Sequence, residues 1–163
     1  MYLTASRLTA DAFSPYGEIV EHQGQDVRHT LTNPFSVVRA DMTMGFTVNA
    51  LKHQPLERVR VRTVERHPHC AQTFIPMVES RHLVVVALSD PDGTLSIPTL
   101  RAFITNGRQG VSYRKAVWHF AFTAIDSDSE VAVMLGTTGN EDDTEYTELD
   151  DDILIALAAQ ERS

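Results

Sequence analysis

Residues 65–77, ERHPHCAQTFIPM, place acidic, imidazole and amide side chains directly before an apolar strand. Glu65, His67 and Gln72 carry oxygen or nitrogen atoms that can bind a divalent metal or contact a reacting substrate. A further candidate, His119, lies much later in the chain, in the apolar stretch VWHFAFTAI at 117–125. If the fold brings these side chains together, they form a site for acid–base or metal-assisted chemistry.

The stretch 59–67 has the alternation of a strand that is buried on one face. Its apolar face must point inward, and the same parity places Glu65 and His67 inside, where a barrel interior opens toward its mouth. A buried carboxylate needs a hydrogen-bond donor, a cation or a metal. The alternatives are a structural Glu65–His67 pair, or a bulge that turns one of them outward. The inward face is Val59, Val61, Thr63, Glu65 and His67; the outward face is Arg58, Arg60, Arg62 and Arg66, with Val64 the exception.

His119 stands on a strand whose two faces are both apolar, so we expect its ring to be buried. An isolated histidine in such a strand is more often a hydrogen-bonded core residue than a ligand. The functional interpretation therefore depends on whether His119 meets His67.

The composition is that of an ordinary globular protein, and we expect one domain spanning residues 1–163. No apolar run approaches the length of a membrane span, and the first residues lack the pattern of a secretory signal, so we expect a cytoplasmic protein. The net charge of −8 argues against nucleic acid as a partner. The single cysteine, Cys70, excludes an internal disulfide and a zinc site made of thiolates alone.

Many short strands separated by turn signals predict an all-β sandwich or barrel. One short helix is expected within residues 9–16, where Thr9 can act as the N-cap. Turn signals stand at residues 91–93 and 106–107. The predicted strands are residues 17–21, 36–42, 59–67, 73–77, 83–88, 100–104, 111–113, 117–125 and 131–135.

The end of the chain predicts a C-terminal helix instead of a strand. Three aspartates at 150–152 precede ILIALAAQER, and carboxylates suit a helix N-terminus. Ile153, Leu154, Leu157 and Ala158 would share one face. This helix would pack across the barrel or against a partner chain.

Two sets of motifs carry a resemblance to known proteins. The spacing of Glu65, His67, Gln72 and His119 resembles the two metal-binding motifs of cupin barrels, with Glu and Gln substituted in the first. A closer resemblance is to the ureidoglycolate lyase family (older name ureidoglycolate hydrolase). It is carried by LTADAFSPYGEIVE at 8–21, ERHPHCAQTFIPM at 65–77, HLVVVAL at 82–88, LRAFITNGRQGVSYRKAVWH at 100–119 and the acidic NEDDTEYTEL at 140–149.

The resemblance implies a cupin-like β-barrel, usually a homodimer, that splits ureidoglycolate into glyoxylate and urea in allantoin breakdown, a part of purine catabolism. Such a reaction needs a base or Lewis acid at the substrate hydroxyl, donors for the carboxylate and an acid for the departing urea. We assign Glu65, His67 and His119 as catalytic. If a divalent metal is present, they and Gln72 are its ligands; nickel is suggested by the family, with zinc or manganese as substitutes.

Substrate binding is assigned to Gln72, Arg101 and Tyr113, because the planar guanidinium of Arg101 fits a carboxylate and the phenol of Tyr113 can donate to the same group.

Two departures from the family pattern leave other functions open. Phe120 and Ala121 stand where the family often has a second histidine and a proline, and MLGTTG at 134–139 replaces a common Asp-Arg pair. The alternatives are another cupin-type enzyme acting on a small acid, or a ligand-binding or regulatory cupin without the activity.

Overall fold

The computed structural model describes residues 1–22, 24, 26–32, 35–37 and 39–158. Short 3₁₀ turns lie at Leu56–Arg58, Ile97–Thr99 and Glu141–Asp143. No helix among the described residues is long and apolar enough to cross a membrane. The helix α1 spans Ala10–Phe13, and the strands, in chain order, are Tyr2–Arg7 (β1), Gly17–Val20 (β2), Thr43–Leu51 (β3), Arg60–Arg66 (β4), Gln72–Pro76 (β5), His82–Ala87 (β6), Arg101–Ile104 (β7), Gly110–Tyr113 (β8), Trp118–His119 (β9), Thr123–Ala124 (β10), Ser129–Thr137 (β11) and Glu145–Leu157 (β12).

Six strands close into a ring in the order β6, β7, β1, β12, β4 and β9. The ring closes because β9 pairs with β4 through Glu65 and His119 and with β6 through Val86 and His119. The short strand β10 continues along β6. Closure leaves the central part of each strand with backbone partners on both sides, which removes the exposed edges of an open sheet. The expected mainly β barrel is confirmed.

The other five strands form a second sheet in the order β2, β8, β5, β11 and β3, which packs against the outside of the ring. Two apolar cores result. The ring core fills the closed barrel and contains Ala5, Val59, Val61, Val64, Leu83, Val85, Ala87, Leu100, Ala102, Ile104, Trp118, Leu149, Ile153 and Ile155. The inter-sheet core lies between ring and sheet and contains Leu8, Phe13, Tyr16, Ile19, Phe74, Val84, Val86, Phe103, Val111, Tyr113, Val117, Phe122, Val131 and Val133.

The short N-terminal helix forms as expected. The Thr9 hydroxyl accepts a hydrogen bond from the Ala12 amide at 3.4 Å, which caps the first turn. Phe13 at its end is fully buried and meets the ring of Phe103 edge to face at 5.9 Å between centroids. The helix thereby covers one end of the inter-sheet core.

The prediction of a C-terminal helix is wrong for the described residues. Residues 145–157 form β12, which pairs with β4 on one side and with β1 on the other. Ile153 and Ile155 are buried in alternation, the period of a strand. The aspartates at 150–152 lie in a register shift between Glu148 and Ile153 instead of capping a helix. Tertiary pairing on both edges outweighs the helical pattern of this segment. Residues 159–163 lie outside the described residues.

Other predicted strands are shifted or absent. Of the strand predicted at 36–42, the structure shows only an isolated bridge between Val37 and Cys70; Val38 is not among the described residues. The strands β1 and β3 were not predicted, although Met44, Phe46 and Val48 alternate with Gly45, Thr47 and Asn49 along β3. The strand predicted at 117–125 is two short strands, since residues 120–122 between β9 and β10 leave the regular pairing.

Candidate functional site

The strand β4 carries Glu65 and leads into His67. The alternation of buried and exposed side chains along β4 shifts by one residue between Val61 and Val64. Val61 and Val64 both belong to the ring core, whereas Thr63 between them is exposed. The slip lies opposite the register shift in β12, where residues 148–153 face only residues 61–63. The prediction that Glu65 shares the face of Val59 and Val61 is therefore wrong. Glu65 points away from the ring core, toward the five-stranded sheet.

His119 reaches the same space from β9. Its neighbour Trp118 lies in the ring core, so the alternation of the strand directs His119 to the opposite side. The residue is 1% exposed, in agreement with the expected burial. Register places Glu65 directly beside His119 on the neighbouring strand.

The five-stranded sheet supplies the opposite wall. Gln72 on β5 and Tyr113 on β8 are register partners, and both are buried. The adjacent side chains Phe74 and Val111 belong to the inter-sheet core, which shows that the inner face of this sheet meets the ring here. The Tyr113 ring stacks on the His119 imidazole with 4.5 Å between centroids.

Three potential ligands converge within this space. The Glu65 Oε1 atom lies 3.4 Å from Nε2 of His119 and 4.0 Å from Nε2 of His67. The two imidazole centroids are 5.4 Å apart. One ligand atom from each of the three residues lies within 4.8 Å of the others. The Glu65 side chain is 28% exposed, whereas both imidazoles are almost completely buried, so the cluster opens toward solvent at Glu65.

The remaining hydrogen bonds of the two imidazoles orient them. His119 Nδ1 lies 2.9 Å from the Val117 carbonyl, and His67 Nδ1 lies 3.3 Å from the Asp143 carbonyl. A carbonyl oxygen only accepts, so each Nδ1 carries the hydrogen and donates it. In the neutral rings, both Nε2 lone pairs then point at the Glu65 carboxylate. Such an arrangement repels unless a proton or a metal cation lies between the groups.

Four buried polar atoms of the predicted site have no hydrogen-bond partner among the described residues: His67 Nε2, His119 Nε2, Gln72 Oε1 and Tyr113 Oη. Buried polar atoms are normally paired, and several orphans in one place indicate a ligand or ion. Neighbouring ligands about 2.1 Å from a metal lie about 3.0 to 3.4 Å apart in octahedral or tetrahedral sites. The separation from Glu65 to His119, 3.4 Å, agrees with this range, and that to His67, 4.0 Å, is longer. The residues present therefore fit a divalent metal, with two imidazoles, one carboxylate and an amide oxygen.

The electrostatics agree with this arrangement. The pKa of Glu65 is lowered, chiefly by the adjacent His119, so the carboxylate stays ionised at neutral pH. Burial lowers the pKa of His67, helped by the nearby His119, so this imidazole favours its neutral, ligating form. Burial also raises the pKa of Tyr113, whose phenol therefore remains protonated and able to donate.

Arg101 is not brought to this cluster. Its guanidinium donates to the carbonyls of Pro98 and Leu100 at 3.0 and 2.8 Å. The strand β6 separates β7, where Arg101 begins, from β9 and His119. The structure thus gathers five of the six predicted site residues and leaves Arg101 on the far side of β6.

Sequence reasoning missed three residues that contact the cluster. Asp143 and Thr144 meet Nδ1 of His67, the latter with its hydroxyl at 3.1 Å. Tyr146 stands opposite Glu65 in the β4–β12 pairing, and the Glu65 charge raises the pKa of its phenol. All three belong to the acidic segment 140–149, whose charges alone gave no sign of a contact with His67.

Comparison with known proteins identifies the family of the chain. The family model described as ureidoglycolate lyase matches residues 1–156. A ureidoglycolate lyase of Pseudomonas paraeruginosa is 35% identical over 158 residues, which cover 91% of this chain and 92% of that protein. Those of Pseudomonas fluorescens and Stutzerimonas stutzeri are 34% and 35% identical, with 91% and 90% of this chain covered and 93% and 91% of theirs. Because the match extends over nearly the whole chain, the protein belongs to the ureidoglycolate lyase family.

Proposed function

We propose that the protein cleaves ureidoglycolate to glyoxylate and urea, as the names of its relatives describe for them. Such a reaction belongs to the breakdown of allantoin, and we place it in the cytoplasm. The observation that carries the proposal is the convergence of Glu65, His67 and His119, beside polar atoms of Gln72 and Tyr113 that have no partner among the described residues. Substrate would reach these groups past Glu65, whose side chain is 28% exposed.

The reaction is an elimination from a carbinolamine. The substrate hydroxyl loses its proton, its oxygen forms the carbonyl of glyoxylate, and the bond from the same carbon to the urea nitrogen breaks. The departing nitrogen takes up a proton. A site therefore needs to stabilise the developing alkoxide and to supply a donor at the leaving group.

We assign Glu65, His67 and His119 to hold a divalent metal, with Gln72 as a further oxygen ligand. Nickel, manganese and zinc are the candidates to test. A bound metal supplies Lewis acidity, which lowers the pKa of a coordinated hydroxyl as it does that of water. Gln72 and the protonated Tyr113 donate to the substrate from the opposite wall, where the phenol can protonate or hold the leaving urea. The buried surroundings strengthen each of these interactions.

We also propose that the protein is a homodimer that associates through β3. Within the described residues, β3 is the last strand of its sheet and pairs only with β11. Three apolar side chains on its outer face are exposed: Met44 by 39%, Phe46 by 66% and Val48 by 54%. An exposed, nine-residue edge strand with apolar side chains is unusual unless another chain covers it. A second copy offers the same edge and the same apolar face, as a two-fold interface requires.

The decisive experiment for the activity follows glyoxylate, urea and ammonia from ureidoglycolate with the purified protein. Glyoxylate and urea in equal amounts are expected. Ammonia in place of urea would instead indicate an amidohydrolase, and binding of glyoxylate without turnover would indicate a binding protein. Either result would remove the lyase assignment.

Variants then test the residues. His67→Ala and His119→Ala are each expected to abolish turnover while the protein stays folded, because each removes one of the three converging groups. The matched control is His53→Ala, which changes an exposed histidine outside the cluster. Wild-type rates in both site variants, with unchanged melting temperatures, would place the active site elsewhere.

A further inference from the structure

The loop that joins β11 to β12 is folded around the carboxylate of Asp143. This carboxylate accepts hydrogen bonds from the Thr137 hydroxyl at 2.5 Å, the Thr138 hydroxyl and amide at 2.8 Å each, and the Gly139 amide at 2.9 Å. Gly139 has a φ of +80°, a backbone conformation that favours glycine. We call Thr137, Thr138, Gly139 and Asp143 the Asp143 clasp.

The same residue contacts the predicted site through its backbone. The Asp143 carbonyl is the acceptor for Nδ1 of His67, at 3.3 Å, and the Thr144 hydroxyl lies 3.1 Å from the same nitrogen. A hydroxyl can donate or accept, so Thr144 suits either tautomer of the imidazole. The carbonyl suits only the tautomer with the hydrogen on Nδ1. In that tautomer the free lone pair is on Nε2, which faces Glu65.

We propose that Asp143 is a positioning residue: its side chain holds the loop so that its own carbonyl fixes the tautomer and ring orientation of His67. The proposal rests on the proposed function, since it concerns how one of the assigned ligands is presented. It also explains what the segment MLGTTG does in this chain, because Thr137, Thr138 and Gly139 donate four hydrogen bonds to the Asp143 carboxylate.

The other contacts of this loop restrain the position of the Asp143 carbonyl less than the clasp does. The short turn Glu141–Asp143 closes with an Asp143 amide to Asn140 carbonyl bond of 3.3 Å. Asp142 pairs with Arg39 at 2.5 Å, but its carboxylate is 58% exposed, and exposed ion pairs contribute little. Loss of the Asp143 carboxylate would leave the donors of the clasp without their common acceptor and free the carbonyl to move.

The test compares three variants of the full-length protein. Asp143→Ala removes the acceptor. Asp143→Asn keeps one side-chain oxygen that can accept from the Thr138 and Gly139 amides, and it serves as the conservative rescue. Asp142→Ala is the matched control, because it removes a neighbouring carboxylate of the same loop that takes no part in the clasp. Unfolding curves confirm that each variant is folded.

The primary readout is the ¹⁵N spectrum of the metal-free protein labelled at histidine, with His67 assigned from a His67→Gln variant. Wild type and Asp142→Ala are expected to show His67 with its hydrogen on Nδ1. Asp143→Ala is expected to show exchange between the two tautomers, and Asp143→Asn to restore most of the wild-type signal. A wild-type signal in folded Asp143→Ala, or an equal change in Asp142→Ala, would overturn the proposal.

The second readout is affinity for Ni²⁺ or Mn²⁺, measured by calorimetry. Removal of a group that orients a metal-binding histidine typically weakens affinity by about 10- to 100-fold, and we expect this for Asp143→Ala with a smaller loss for Asp143→Asn. If Asp143→Ala does not fold, Thr137→Val removes one clasp bond and is expected to change the His67 signal in the same direction. An unchanged signal there would also count against the clasp.

The two readouts separate this proposal from the proposed function. If the wild-type protein releases no glyoxylate, the lyase assignment fails, but the tautomer of His67 still tests the clasp. If glyoxylate is released normally and the spectrum of Asp143→Ala is unchanged, only the positioning role fails.

Discussion

His82 is buried in the core, and its environment makes a measurable prediction about acid stability. The ring is 0% exposed and stacks on Phe122 with 4.4 Å between centroids. Its Nε2 lies 3.1 Å from the Ser129 hydroxyl. Burial lowers its pKa from 6.5 to about 4, although the charge of nearby Asp126 acts in the opposite direction.

The direction in which pH changes the free energy of unfolding follows from proton binding. Between the two pKa values the unfolded chain protonates His82 and the folded protein does not, so acid favours unfolding. The loss of stability due to His82 is absent above its pKa in the unfolded chain. It grows as the pH falls below that value and is complete near the pKa of the folded protein. At a pH of about 5 the two pKa values correspond to about 2 kcal/mol of lost stability.

The assay is urea unfolding of wild type and His82→Gln at about pH 8 and about pH 5, with His53→Gln as the exposed control. The glutamine variant is expected to lose about 2 kcal/mol less than wild type between the two conditions, whatever its stability at the higher pH. Its turnover at neutral pH should be kept, because His82 lies outside the cluster. An identical acid loss in wild type and His82→Gln would refute the reasoning.

Three further predictions concern packing, assembly and charge. Gly110→Ala should lower the free energy of unfolding by about 2 kcal/mol in a urea titration, because its Cβ would stand 2.3 Å from the backbone oxygen of Phe74. Phe46→Glu should turn a dimer into monomers by light scattering, whereas Tyr2→Glu, on another strand and 74% exposed, should not; a monomeric wild type would contradict the assembly. Glu65→Gln should lower the turnover rate by at least about 100-fold, since it removes the carboxylate that faces both imidazoles; a rate within a few-fold of wild type would exclude a charged role for Glu65.

The sequence predicted the β class, most strands of the second half and the five residues that meet at the site. Alternation along β4 indicated burial of Glu65, but its face was wrong because the bulged partner strand β12 shifts the parity between Val61 and Val64. A bulge in one strand leaves no mark on the sequence of its neighbour. The end of the chain was misjudged for a related reason: Ile153 and Ile155 suit a helix or a strand, and the pairing with β1 and β4 decides.

The role of the loop before β12 could not be predicted either. Asp143 contacts His67 through its backbone, which any residue type could supply, and its side chain is engaged by threonines and amides within the same loop. The position of Arg101 relative to the cluster could not be predicted from its chemistry. Its chemistry suits a carboxylate, but only the strand order shows that β6 lies between it and His119.

The central claim is that Glu65, His67 and His119 together hold one cation at the place where ureidoglycolate is cleaved. An anomalous difference map from crystals of the active enzyme grown with nickel tests it most directly. A single peak at about 2.1 Å from both Nε2 atoms and from the Glu65 carboxylate is predicted. Crystals that release glyoxylate without a peak between these atoms, or with the peak elsewhere, would contradict it.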